Sequence, residues 1–217
     1  MRSPSPPPRR AARRPRAANP RGDGPLLRDE IVAATIRLLE ELGEDEALSL
    51  RAVAREVGVA ATSVYLHFAD RDALLAAVME ACYERLMQAA EQAELAGRDP
   101  VEQLRARVLA YASWAQDHVG LYKLLHESTL HMRKDLPFMR QSGERVAAAV
   151  RRCMDAELAP PGDPVIIAMD LRTAVHGMLS SRFNQPHIAW PPLTEQLDRF
   201  LTKLVGTPSP GKRSRRS

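Results

Sequence analysis

Residues 48–68 read LSLRAVAREVGVAATSVYLHF, and their pattern predicts two short helices joined by a tight turn. Ser49 is placed to cap the first helix, and Gly58 supplies the positive φ that such a turn requires. Ala54 is small, which lets the second helix cross close to the first. We expect the Val64 side chain to pack inward and so to fix the orientation of the second helix. Ala54, Gly58 and Val64 lie four and six residues apart, which is the spacing of a helix-turn-helix.

The second helix of this motif presents a defined set of side chains to solvent. We expect Val64 and Phe68 to face the core, and a helix turns by about 100° per residue. The outward positions are then Thr62, Ser63, Tyr65 and Leu66. In a helix-turn-helix this surface faces the major groove of DNA.

Further elements accompany the motif in a fixed order. An amphipathic helix precedes it, Tyr65-Leu66-His67-Phe68 ends it, and Arg71-Asp72-Ala73-Leu74-Leu75 opens the next helix. Together with Gly58-Val59, these elements resemble the TetR family of bacterial one-component transcription regulators over residues 25–85. The resemblance implies that the chain is not an enzyme but a DNA-binding regulator of transcription, most often a repressor.

The resemblance also assigns roles within the motif. It implies that Tyr65 and His67 bind backbone phosphates, whereas Thr62, Ser63 and Leu66 read bases. Hydroxyl groups serve donor or acceptor edges, and a threonine methyl or a leucine can contact a thymine methyl. The alternative for the phosphate-binding pair is ordinary surface packing.

Two positions depart from the family pattern, and one cation lies beside it. Ala60 stands where the family often places a capping serine, so the second helix loses that cap. Arg71 replaces the usual lysine and keeps a cation for phosphate. Arg51 and the N-terminal arginines are further candidates for phosphate contacts, with a solvated role as the alternative.

Basic residues concentrate at both ends of the 217-residue chain. Residues 1–21 hold seven arginines and no acidic residue, and residues 207–217 hold four basic residues. Of 31 Lys and Arg, 20 therefore lie in residues 22–206 together with all 27 Asp and Glu, a net charge of −7. Because 1–24 and 207–217 hold few large apolar side chains, we expect two disordered basic tails that sample polyanions.

The rest of the chain repeats apolar residues every three or four positions, which predicts an all-α fold. The pairs Asp99-Pro100 and Asp163-Pro164 each predict a helix start, and Thr194 is placed to cap the last helix. We expect a three-helix DNA-binding domain over 25–85 and a helical bundle for effector binding and dimerisation over 86–206.

The resemblance implies a homodimer that binds a palindromic double-stranded DNA operator. In the family, the last two helices of each subunit pair with those of its partner, which here correspond to about 164–183 and 194–205. A small-molecule effector then releases the dimer from DNA.

Aromatic side chains with polar tips concentrate between residues 111 and 127 and are typical of ligand pockets. Trp114, His118, Tyr122 and His126 lie in this stretch. His176 shares a helix face with Ile166 and Met169, which predicts that it points inward. We therefore expect an effector pocket at Trp114, His118, Tyr122, His126 and His176. The alternative is that the aromatic residues are core and that His176 is buried beside a backbone carbonyl.

Other functional classes have little support in the sequence. Cys82 and Cys153 show no metal-site or disulfide spacing, no two histidines are four residues apart, and no catalytic motif or cofactor site is recognisable. No apolar run reaches membrane-spanning length and no signal peptide is visible, so we expect a soluble, cytoplasmic protein. A small-molecule-binding enzyme and a ligand-independent scaffold on the same fold remain the alternatives.

Overall fold

The computed structural model describes residues 24–43, 47–130 and 136–208. Within these ranges the structure is helical and contains no strand, which confirms the all-α prediction. The helices are α1 (Gly24–Leu42), α2 (Leu50–Val57), α3 (Ala61–Tyr65), α4 (Arg71–Leu95), α5 (Pro100–Asp117), α6 (Val119–Glu127), α7 (Pro137–Asp155), α8 (Pro164–Asn184) and α9 (Leu193–Phe200). A π-helical turn, Leu201–Val205, continues α9.

The tails that the sequence predicts as disordered lie outside the described residues except at their inner ends. Gly24 is the first residue of α1, and Thr207 is buried, so the ordered part reaches slightly further in both directions than expected. No helix in the described part of the chain is both long and apolar enough to cross a membrane.

A first hydrophobic core holds α1 to α4 together with α6. Val53, Val64 and Leu74 are completely buried in it, and Phe68 is 3% exposed. The predicted inward orientation of Val64 and Phe68 is therefore confirmed. Because α6 closes this core from outside the first four helices, the DNA-binding part does not fold around its own residues alone.

Helix α4 runs from the first core into the second half of the molecule. Asp70 caps it by accepting a hydrogen bond from the Ala73 amide at 2.6 Å. Leu74 at one end and Ala90 near the other are both buried. The predicted domain boundary between residues 85 and 86 therefore falls inside a continuous helix.

A second core is built from α5, α7, α8, α9 and the π-helical turn, together with Tyr122 of α6. Asp99 and Asp163 cap α5 and α8 as predicted, each accepting hydrogen bonds from two backbone amides of the first turn. The predicted cap at Thr194 is wrong. Helix α9 already begins at Leu193, and the residue before it, Pro192, makes no side-chain capping bond.

The outer face of α8 also corrects an expectation. Ile166 is 57% exposed and Met169 is 62% exposed, so these residues point away from the core. The buried face of α8 is instead formed by Ala168, Leu171, Val175, Met178 and Leu179. His176 lies half-buried at the border between the two faces.

Candidate functional site

The turn between α2 and α3 has the geometry that the sequence predicts. Ser49 Oγ accepts a hydrogen bond from the Ala52 amide at 3.2 Å and so caps α2. Gly58 has φ 81°, and its amide donates to the Ala54 carbonyl at 2.9 Å. The left-handed conformation of this glycine lets the chain reverse within one residue and sets the angle between the two helices.

Helix α3 carries its polar and exposed side chains on the surface opposite the core. Leu66 is 86% exposed, Tyr65 is 52% exposed, and Thr62 is also exposed. Ser63 and His67 are half-buried at the edges of this surface. The five residues form one contiguous surface, which we call the recognition surface.

The flanking positions show how this surface is supported. Ala60 precedes α3 without any side-chain capping bond, as expected. Arg71 Nε donates to the Leu48 carbonyl at 3.2 Å, which ties the start of α4 to the start of α2. Arg51 is exposed on α2. Arg71 therefore ties two helices together through its Nε, and Arg51 projects into solvent.

The sequence pattern does not single out Arg28, which lies beside this surface. Its guanidinium carbon is 5.3 Å from the centroid of the Phe68 ring, a cation–π distance. One feature of the sequence could have pointed to Arg28. This cation lies one helical turn before Ile31, which is buried in the helix that precedes the motif.

Two tyrosine–histidine pairs occupy the interface of α5, α6 and α8. The Tyr122 hydroxyl lies 2.5 Å from Nδ1 of His176, and the Tyr111 hydroxyl lies 2.7 Å from Nε2 of His126. The rings of Tyr122 and His126 are 4.6 Å apart between centroids. We call these four residues the tyrosine–histidine cluster.

Burial governs the protonation of the two phenols in this cluster. It raises the pKa of both Tyr111 and Tyr122 above the ordinary value, so both hydroxyls stay protonated and able to donate. Each hydroxyl already has a histidine partner. The two hydroxyls are therefore satisfied within the cluster.

The remaining two residues of the predicted pocket form a separate side-chain pair, and the His118 carbonyl accepts a hydrogen bond from the Tyr122 amide at 2.9 Å. The rings of Trp114 and His118 are 5.0 Å apart, and His118 Nδ1 lies 2.7 Å from Glu40 Oε1 on α1. Next to them α6 begins against the end of α1, and a Cβ on Gly120 would lie 2.9 Å from the Leu39 carbonyl oxygen. This pair thus marks the junction between the two halves of the chain.

A cavity of about 70 Å³ lies among α4, α5, α7 and α8. Its apolar walls include Met87, Val108, Val146, Leu171 and Val175. Arg107, Tyr111 and Arg172 contribute polar atoms. None of the five predicted pocket residues lines this cavity, but Tyr111 joins it to the tyrosine–histidine cluster.

Among the residues that the structure describes, no group of three or more His, Cys, Asp or Glu side chains could hold a metal ion. Cys82 and Cys153 are both buried and form no disulfide within the described part of the chain.

Comparison with known proteins assigns both halves of the chain to one family. Residues 31–78 match the model for bacterial regulatory proteins of the tetR family. Residues 104–207 match the model for tetracycline repressor-like C-terminal domains. The two matches follow each other in the order of the two cores.

Individual relatives agree with these matches. The regulator BetI of Stenotrophomonas maltophilia is 33% identical over 89 residues, which span 41% of this chain and 45% of BetI. SmeT, the repressor of the S. maltophilia efflux pump SmeDEF, is 27% identical with a TM-score of 0.64, over 81% of this chain and 88% of SmeT. A SmeT–triclosan complex is 26% identical with a TM-score of 0.61, over 82% of this chain and 90% of that one. This chain therefore belongs to the TetR family of transcriptional regulators.

Proposed function

We propose that this protein is a cytoplasmic homodimeric repressor that binds a palindromic operator and leaves it when a small molecule binds the C-terminal half. The observation that carries the proposal is the recognition surface. Its core-facing anchors, Val64 and Phe68, are buried, while Leu66 and Tyr65 project into solvent. Large apolar and aromatic side chains held outward on a short helix suit contact with a partner better than folding of the chain itself.

Roles within the surface follow from side-chain chemistry. Thr62 and Ser63 offer hydroxyls, and Leu66 offers a methyl-rich tip, so these three residues read base edges. Tyr65 and His67 offer one polar tip each and contact phosphates, which position the helix without specifying sequence. Exposed Arg51 adds a phosphate contact, and Arg71 adds a second cation for phosphate while its Nε holds the Leu48 carbonyl.

The dimer is supported by the outer face of α8. Val165, Ile166 and Met169 are 52%, 57% and 62% exposed, a cluster of large apolar side chains at one end of this helix. Further along the same face, Thr173 and Gly177 are small and exposed, which allows close approach of a second helix. An isologous interface uses the same patch on both subunits, as two copies of α8 would do.

Effector release is supported by the cavity and by the likeness to a protein that binds triclosan. We place the effector in the cavity and assign the predicted pocket residues to its surroundings. Tyr122, His126 and His176 form the layer behind Tyr111, and Trp114 and His118 lie at the junction with α1. A ligand that moves Tyr111 therefore acts on the remaining cluster through the hydrogen bond to His126.

The test begins with selection of bound sequences from a random duplex pool, followed by affinity and stoichiometry measurements on the selected site. We expect a palindrome occupied by two chains, with half-site centres separated by about 34 Å or somewhat more. Tyr65→Phe should weaken binding to all sequences, whereas Thr62→Ala should change preference at one base pair by about 1–3 kcal/mol. Thr129→Ala, at an exposed threonine that follows α6, serves as the matched control. A complex with one chain per minimal site, or no selected sequence, would contradict the proposal.

A further inference from the structure

The cavity among α4, α5, α7 and α8 combines apolar walls with an excess of positive charge. Its volume of about 70 Å³ has room for about two water molecules at their liquid volume of about 30 Å³ each. Met87 is a flexible lining side chain, so the walls can yield to a somewhat larger molecule. The cavity therefore suits a short apolar chain that displaces this side chain.

One guanidinium is buried at this cavity and only partly satisfied. Arg107 is 7% exposed, and its Nε donates to Glu94 Oε2 at 2.5 Å. Neither Nη atom of Arg107 has a hydrogen-bond partner among the described residues. Burial also lowers the pKa of Arg107, because it disfavours the charged form, while the Glu91 carboxylate acts in the opposite direction.

The nearby carboxylates are already engaged by other cations. Glu94 accepts a second hydrogen bond from Arg152, so one negative charge is shared by two guanidiniums. Glu91 pairs with Arg145 at 2.5 Å. Three guanidiniums therefore share two carboxylates around Arg107, which leaves one positive charge in excess.

A second guanidinium lies at the edge of the cavity. Arg172 on α8 is exposed, lines the cavity and makes no ion pair or hydrogen bond with another described residue. Arg172 and Arg107 thus reach the same apolar space from α8 and α5. Two guanidiniums with free N–H groups can bind a carboxylate through several charge-assisted hydrogen bonds.

We propose that the effector of this regulator is a small apolar carboxylate, with its carboxylate held by Arg172 and Arg107 and its hydrocarbon part against Val108 and Leu171. This inference rests on the proposed effector-responsive function. A cationic ligand would add to the positive charge, and an uncharged ligand would remove water from Arg107 without supplying an acceptor of equal strength.

The test compares ligands of equal chain length on the full-length protein. Hexanoate, 1-hexanol and hexylamine are titrated by calorimetry, together with butanoate, octanoate and decanoate to cover the length range. We expect one of the carboxylates to bind, and hexanoate to bind at least about tenfold more tightly than 1-hexanol. Binding by none of the carboxylates, or equal or tighter binding of 1-hexanol or hexylamine, would overturn the proposal.

Substitution of the exposed cation locates the binding site without endangering the fold. Arg172→Gln should reduce the preference for hexanoate over 1-hexanol to less than about threefold while leaving the binding of 1-hexanol unchanged. The matched control is Arg151→Gln, an exposed arginine of α7 that does not line the cavity, and this variant should keep the full preference. An unchanged preference in Arg172→Gln would overturn the assigned site.

A separate measurement on the selected operator distinguishes this inference from the proposed function. If hexanoate binds the free protein but does not displace it from DNA, the ligand class stands and effector release fails. If 1-hexanol or hexylamine displaces the protein while the carboxylates do not, effector release stands and the ligand class fails.

Discussion

Replacing Tyr122 by Phe removes one oxygen atom from a residue that is completely buried. The lost hydroxyl lies 2.5 Å from Nδ1 of His176, and the aromatic ring itself stays in place. The variant therefore leaves the Nδ1 atom of the half-buried His176 without this partner but opens no large cavity. Leaving a buried polar group unsatisfied costs about 1–3 kcal/mol of unfolding free energy. At about 2 kcal/mol, the thermal midpoint of a chain of this size falls by about 4–8 °C.

A double-mutant cycle measures this contact directly by urea unfolding. His176→Phe removes the partner nitrogen and keeps an aromatic ring, so the double variant replaces a polar pair by two apolar rings. Because removal of both partners leaves nothing unsatisfied, we expect the double variant to lose about 1–2 kcal/mol less than the sum of the single losses. Tyr65→Phe is the control, since that hydroxyl belongs to a 52% exposed residue, and its stability should change by less than about 0.5 kcal/mol.

The cycle also separates a structural role of Tyr122 from a ligand-binding role. Additive losses, with a coupling below about 0.5 kcal/mol, would refute the hydrogen bond as a source of stability. If Tyr122→Phe left stability unchanged but shifted the effector concentration needed for release, Tyr122 would contact the ligand itself, as the sequence predicts.

Three further predictions concern two glycines and one buried thiol. Gly120→Ala should destabilise the protein by about 1–3 kcal/mol in thermal unfolding and weaken operator binding, because the new Cβ would lie 2.9 Å from the Leu39 carbonyl oxygen. Gly143→Ala, with no atom within 4 Å of its added Cβ, should not destabilise the chain, and equal losses in the two variants would contradict the steric explanation. Gly58→Ala should cost about 1–2 kcal/mol in urea unfolding because its φ of 81° is left-handed, and a neutral result would show that the turn relaxes. Burial raises the pKa of Cys82 to about 12, so a disulfide reagent at pH 8 should modify it only after unfolding, and rapid modification of the native protein would disprove this.

The DNA-binding half could be predicted from sequence because its determinants are local. The cap at Ser49, the left-handed glycine at position 58 and the buried side chain of Val64 lie within 16 residues of one another. Each acts through its own backbone or the adjacent helix. The spacing along the chain therefore fixes both the turn and the side of α3 that faces outward.

The second half was less predictable because periodicity does not identify what a helix face contacts. Ile166 and Met169 share an apolar face with the helical period, and the sequence interpretation placed this face inside the subunit. The structure exposes both residues, since Leu171 and Val175 already fill the intrachain contact. An apolar stripe is equally consistent with a core and with an interface between subunits.

The cavity escaped prediction for a related reason. Arg107 lies between Leu104 and Val108 on α5. Charged residues of an amphipathic helix ordinarily face solvent, so its burial could not be expected from the sequence. Its burial depends on Glu94, which α4 brings within hydrogen-bonding distance from 13 residues away. Such pairing between helices leaves no periodic signal in the sequence.

Helix α6 contributes buried residues to both cores. It is therefore the element through which ligand binding in one half could affect operator binding in the other. Leu121 and Leu125 are buried in the first core, whereas Tyr122, between them, is buried in the second. A ligand changes operator affinity only if it binds one position of such a shared element more tightly than another. A tenfold change in operator affinity requires about 1.4 kcal/mol of differential binding. Loss of the single hydrogen bond between Tyr122 and His176 would cost a comparable free energy, so a ligand that favours a position of α6 without this bond must also offset that cost.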